Sequence, residues 1–238
     1  MNPLVAVVAV VVTAGAVLAV SSRNGRTALL GLVIAVAAAP FIDHPLPQPA
    51  TLAMRVVGAA LAAYLLRSAL TAASPTSVDQ RESVVRGGSR LGWPAEALMA
   101  LAAWLVAVVL SAHLANLEPT GPTASAADLL AMFGPASVTT AAGLASIVVG
   151  LVPALAGQDA LRTAAGSLIL VQGALIFRSG IAGAPGDLEQ IAGVALFVAT
   201  AVAGAVLIGI EDRPESASVS KTGTAGPRPP ATRRRGGA

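Results

Sequence analysis

No cysteine occurs anywhere in the 238 residues. That excludes disulfides, cysteine-ligated zinc and any iron–sulfur cluster held by this chain alone. Charge is scarce as well: Asp, Glu, Lys and Arg make up 11% of the residues, where an ordinary globular chain has about 25%. So few polar groups cannot coat a water-facing surface, and lipid must be the solvent for most of the chain. The signatures of independent catalysis are also missing. There is no P-loop, no Gly-x-Ser-x-Gly, no His-Glu-x-x-His and no pair of carboxylates inside the apolar segments. The chain has no catalytic constellation of its own, and nothing in it implies a cofactor.

What is present is apolar. Hydrophobic residues account for 55% of the chain and the mean hydropathy is +0.77. Seven apolar segments follow one another, at approximately Leu4–Val20, Thr27–Ile42, Thr51–Ala73, Pro94–Leu114, Ser137–Ala156, Thr163–Phe177 and Ile191–Ile210. A helix needs about 20 residues to cross a bilayer, and lipid offers the backbone no other hydrogen-bonded form except a closed barrel. The pattern predicts an all-α polytopic membrane bundle of about seven helices over residues 1–210, with the second and sixth helices short. The first segment lacks a basic n-region and its charges follow it, so it reads as a retained helix and not a signal peptide.

The formal charge of +3 reports orientation, not nucleic-acid affinity. Arg23 and Arg26 follow the first segment, Arg81, Arg86 and Arg90 the third, and Arg162 the fifth; Arg213, Lys221, Arg228 and Arg233–Arg235 follow the seventh. The intervening loops carry Asp43, Glu118, Asp128, Asp187 and Glu189. The positive-inside rule then predicts an N-terminus outside and a C-terminus in the cytoplasm, in a plasma (inner) membrane. Residues 211–238 are rich in Pro, Gly, Ser and Thr, lack apolar periodicity and end in an arginine run. They read as a disordered basic cytoplasmic tail, serving as topology signal and tether.

A shift of 136 positions aligns the chain with itself. It lays Arg26-Thr27-Ala28 on Arg162-Thr163-Ala164 and pairs Phe41 with Phe177 and Pro49 with Pro185. This brings helices 1–3 onto helices 5–7 in the same direction, with helix 4 as connector, so a parallel repeat of three-helix units is expected. Small residues recur at helical spacing in helix 4 (Ala103, Ala107, Ser111), helix 5 (Ala142, Ser146, Gly150) and helix 7 (Ala195, Ala199, Ala203). Such stripes let helix backbones approach closely in lipid.

Ionisable groups within a membrane are costly, so each is a candidate for function. Arg55 lies about one turn into helix 3, and Arg178 closes helix 6 on the same side. Both are long enough to snorkel to the headgroups; if they face the bundle instead, Asp187 and Glu189 are the partners in reach. Glu96 follows Trp93-Pro94 at the start of helix 4, where a carboxylate meets the free N–H groups and the helix dipole. His44 and His113 could ligate haem iron, bind a quinone headgroup or relay a proton. Both fall at the membrane interface, however, where a solvated histidine needs no such explanation. Gln172, Thr200 and Tyr64 are the polar side chains nearest mid-helix.

One stretch, Leu161–Gly173, carries a resemblance. Leu161-Arg162, then Gly166 four residues after the arginine, then Gly173 within the sixth helix is similar to the central segment of the hydrogenase-4 component E family. That family is related to the K subunit (chain 4L) of respiratory complex I. The resemblance implies a seven-helix, N-out and C-in membrane subunit whose helices 5–7 correspond to the three-helix K subunit. It also implies other membrane subunits of a respiratory-type, proton-translocating oxidoreductase as partners, beside the lipid bilayer. Family members carry a glutamate in the sixth helix; its place falls at Val171, with Gln172 beside it, and no residue from Gln190 to Ile210 ionises. The resemblance therefore implies a non-catalytic, structural subunit, with Gln172 as an interhelical hydrogen-bonding group. From the residues alone, a small stand-alone permease and a membrane scaffold stand as alternatives.

Overall fold

In a computed structural model the protein is a bundle of helices, and the structure describes residues 3–22, 24–42, 48–73, 93–114, 133–157 and 159–211. The helices are α1 (Pro3–Ser21), α2 (Gly25–Ala38), α3 (Pro49–Ala73), α4 (Trp93–Leu114), α5 (Pro135–Ala156), α6 (Ala160–Ala182) and α7 (Asp187–Glu211), and a single 3-10 turn, Ala39–Phe41, extends α2. Every helix except α2 is long and apolar enough to cross a membrane; α2 with its 3-10 turn forms a shorter apolar stretch, Gly25–Phe41. The protein is thus an integral, multi-pass membrane protein. Arg23, Asp43, His44, the loop arginines 81, 86 and 90, Glu118, Asp128 and the tail from residue 212 lie outside the described residues.

Local chemistry sets the helix ends. Asn24 caps α2 by accepting from the Arg26 N–H at 3.0 Å, and Asp159 caps α6 by accepting from the Leu161 N–H at 3.2 Å. Each side-chain oxygen satisfies one N–H that the helix cannot. Pro49 and Pro135 open α3 and α5, where a missing N–H costs nothing. Contrary to the sequence expectation, the sixth helix is not short. It begins at the Asp159 cap, runs through Arg178, Ser179 and Gly180, and stops only at Gly183, whose φ of 81° suits a residue without a Cβ. Polar residues near the end hid its last turn from a reading based on apolar runs.

Two antiparallel hairpins make the tightest contacts. In the α5–α6 hairpin, glycines recur every seven residues on both helices: Gly143 and Gly150, with Gly157 at the α5 C-cap, against Gly166, Gly173 and Gly180. A Cβ added to Gly150 would stand 2.7 Å from the Gly166 carbonyl oxygen and 2.8 Å from the Leu170 nitrogen. The facing helix therefore passes backbone against backbone, as small residues allow in lipid. The α1–α2 hairpin repeats the device, with Gly15 against Ala35 and Gly31 and with Gly31 against Ala19. Ser146 lies in the α5 seam and returns its hydroxyl to the Ala142 carbonyl at 2.8 Å, so its burial leaves no donor unpaired.

The third helices break the antiparallel pattern. Gly58 of α3 faces Val194 and Val198 of α7, while Leu66 faces Gly204, so both positions advance together and the two helices run parallel. Gly58 and Val194 are 136 positions apart, the interval of the sequence repeat. Gly25 and Leu161, which also touch, are separated by the same interval. Beyond these points, α1 packs on α5, α2 on α6 and α3 on α7. Equivalent helices of the two units therefore meet across a local two-fold axis, with α4 set against α5 and, more lightly, α1. The largest buried side chains, among them Leu66, Leu168, Ile169 and Ile208, fill the space between the units.

Candidate functional site: a polar cavity between the two repeats

Where the end of α2 meets α3, α6 and α7, a cavity of about 80 Å³ opens. Arg55, Gln172, Arg178, Ser179, Glu189 and Gln190 are its polar lining; Val36, Leu175, Val194 and Phe197 are among its apolar wall. Gln172 stands near the midpoint of α6, six residues (about 9 Å of helix) before Arg178. The cavity thus reaches from one end of the bundle toward its middle.

Arg178 and Glu189 form an ion pair at the site, Nη2 to Oε2 at 2.5 Å, with side chains 38% and 52% exposed. The same arginine donates through Nη1 to the Gly183 carbonyl at 3.2 Å, and Glu189 Oε2 also accepts from the Gly186 N–H at 3.1 Å. These bonds tie the end of α6 to the start of α7 across the short connecting turn. Gln190 adds a further tie, its Nε2 donating to the Pro185 carbonyl at 2.9 Å. That bond fixes which way the amide points and leaves Gln190 Oε1 buried with no hydrogen-bond partner. An unmatched buried acceptor costs about 1–3 kcal/mol.

The other sequence candidates disperse. Glu96 is 2% exposed in the first turn of α4, while His113 is exposed at the opposite end of the same helix. Tyr64 faces outward at 68% exposure, and the Thr200 hydroxyl bonds to its own helix at the Leu196 carbonyl. Among the described residues, no three His, Asp or Glu side chains come together in a way that could hold a metal ion.

The residues that carry the family resemblance divide by task. Leu161 is buried, and Arg162 reaches back through Nη2 to the Ser22 carbonyl at 3.3 Å, closing α6 onto the end of α1. Gly166 meets Pro153 and Ala154, Gly173 meets Ile147, and Val171 packs on the core. Gln172 makes no hydrogen bond with a described residue and faces the cavity in place of bridging two helices. Sequence reasoning missed Gln190 and Ser179. The available signal for Gln190 was an amide one residue beyond Glu189, followed by a run without another strongly polar side chain until Thr200.

No family model, curated protein or solved structure matches this chain.

Proposed function

We propose that the protein is a non-catalytic integral subunit of a hydrogenase-4 or complex I-like, proton-translocating oxidoreductase of the plasma membrane. It would pack through α7 against a larger membrane subunit. One observation carries the assembly reading. Of the three small-residue stripes, those of α5 (Ala142, Ser146, Gly150) and most of α4 (Ala103, Ala107) are buried within the bundle, whereas Ala195, Ala199 and Ala203 of α7 all face outward. A stripe of alanines gains little from lipid tails but allows another helix to approach closely. The resemblance over Leu161–Gly173 supplies the kind of complex, and a glutamine in the neighbourhood of the family carboxylate makes the role structural. Arg26 and Arg162 sit at one end of the bundle and Asp187 and Glu189 at the other, which supports an N-out, C-in orientation.

The second reading is a small stand-alone permease of two three-helix repeats, which the cavity between the repeats favours. Affinity purification from the native membrane in mild detergent separates the two. Stoichiometric recovery of large polytopic and redox subunits is expected, with loss of those partners in Ala199→Trp while the chain itself still accumulates. Recovery of a stable, monodisperse chain or homo-oligomer alone would overturn the subunit reading.

A further inference from the structure

The cavity sits on the axis that relates the two repeats. Its wall contains three pairs of equivalent residues: Val36 with Gln172, Ala39 with Leu175, and Pro40 with Ile176, each separated by the repeat interval of 136. Membrane proteins built from repeats hold their ligands at such interfaces. What this cavity could hold follows from which polar groups of its wall are already satisfied and which are not.

The ionic groups of the wall are engaged. Arg178 is bonded to Glu189 and to the Gly183 carbonyl, and Arg55 has an interaction of its own. The Ser179 hydroxyl donates to the Ile176 carbonyl at 2.9 Å. The two amides are the groups left over. Gln190, only 9% exposed, gives its Nε2 to the Pro185 carbonyl, which leaves Oε1 buried without a donor. Gln172 makes no hydrogen bond with a described residue, although it stands near the middle of a spanning helix. A glutamine inside a membrane ordinarily bonds to a neighbouring helix. Nor does the helix require an amide here, since α2 has Val36 at the equivalent position.

The unmet groups narrow what would fit. A halide or a fully deprotonated anion offers Gln190 Oε1 no donor, and a bare cation leaves the N–H groups of Gln172 unmet. Either ion would also give up its hydration to reach this depth in a membrane. A neutral molecule that carries N–H donors beside a carbonyl satisfies both amides. One edge of a primary amide, its C=O and the adjacent N–H, matches the same edge of Gln172 in two reciprocal bonds. The second N–H is then free for Gln190 Oε1. The apolar side of the wall, with Val194 and Phe197, suits a methyl-sized remainder. A volume of about 80 Å³ accommodates roughly two or three waters, or one such molecule of about four non-hydrogen atoms.

We propose that this axial cavity binds a small neutral solute of the primary amide and urea class. The site is independent of both functional readings above. Gln172 pairs with the amide edge of the solute, Gln190 Oε1 accepts from its second N–H, and the Arg178–Glu189 pair fixes the turn that presents Gln190.

The test uses the full chain in nanodiscs of deuterated phosphatidylcholine, with acetamide as the probe. Saturation transfer from the protein to the acetamide methyl group is read by NMR, against empty nanodiscs as background. Acetone is the control ligand, with the same shape and carbonyl but no N–H. Transfer to acetamide that exceeds transfer to acetone, that urea competes away, and that is weakened about tenfold in both Gln172→Leu and Gln190→Leu supports the proposal. Thr200→Val should leave the signal unchanged, because that hydroxyl bonds its own helix and lies outside the cavity. Gln172→Leu removes no hydrogen bond to a described residue, so it decides alone should Gln190→Leu fail to accumulate. Equal transfer to acetone, or an acetamide signal that Gln172→Leu leaves unchanged, overturns the proposal. So does the absence of any acetamide signal, which leaves a cavity that holds only water.

Discussion

At Gly173 the whole α5–α6 seam depends on a missing methyl group. A Cβ there would lie 2.7 Å from the Ile147 nitrogen and 2.9 Å from both the Gly143 carbonyl oxygen and the Ser146 Cβ. Two of these atoms are backbone, which cannot swing aside as a side-chain tip can, so the facing helix must move. Gly173→Val is therefore expected to destabilise the bundle by about 1–3 kcal/mol, the usual cost of overpacking. Gly209 is the control on α7, because a Cβ there meets nothing within 4 Å. Gly209→Ala should be neutral or raise stability by up to about 1 kcal/mol through helix propensity alone. Unfolding of the detergent-solubilised chain, followed by circular dichroism, measures both. Equal effects at the two positions would mean that the close approach at Gly173 is not what holds the seam. The Arg178–Glu189 pair, with both side chains more than a third exposed, calls for the opposite expectation at this scale. Its worth lies in positioning the α6–α7 turn, since exposed ion pairs contribute little to stability.

Among the elements, cohesion is uneven. The α5–α6 hairpin has glycine-mediated backbone contact along its whole length, and α5 is the most buried of the spanning helices, whereas α3 faces mostly outward. Local opening follows such differences in packing. Hydrogen–deuterium exchange in detergent should accordingly be slowest in α5 and in the part of α6 that faces it, and clearly faster in α3. Uniform exchange across all helices would contradict this ranking. The sequence made part of this legible. Apolar runs and the spanning length of a helix located each described helix, though the sixth was cut five residues short at its end, and the Arg-Thr-Ala and Pro matches fixed the repeat interval that the contacts at Gly58 and Gly25 follow. The stripe in α5 marked a packing face correctly, but the heptad glycines that make its seam were in view and went unread. The cavity was less accessible. Arg55, Arg178 and Gln172 were singled out one by one, and Glu189 was named as a partner in reach. What joins them is the meeting of α2, α3, α6 and α7, a long-range relation that no local pattern in the chain encodes.

For the molecule as a whole, a parallel repeat and a membrane orientation make one joint claim about which ends share a compartment. If α3 and α7 run parallel, as the contacts Gly58–Val194 and Leu66–Gly204 require, then Ala72 near the end of α3 and Gly209 near the end of α7 emerge on the same face. Ala184, in the turn between α6 and α7, emerges on the other. All three positions are exposed, and the native chain contains no cysteine, so single substitutions to cysteine give clean reporters. With the basic loops in the cytoplasm, Ala184→Cys should react with a membrane-impermeant maleimide in intact cells. Ala72→Cys and Gly209→Cys should react only after permeabilisation. The three sites separate two errors. Exchange of the whole pattern would keep the parallel repeat and reverse the orientation. Disagreement between Ala72→Cys and Gly209→Cys would break the repeat itself, and with it the axis on which the cavity lies, because α3 and α7 would then run in opposite directions.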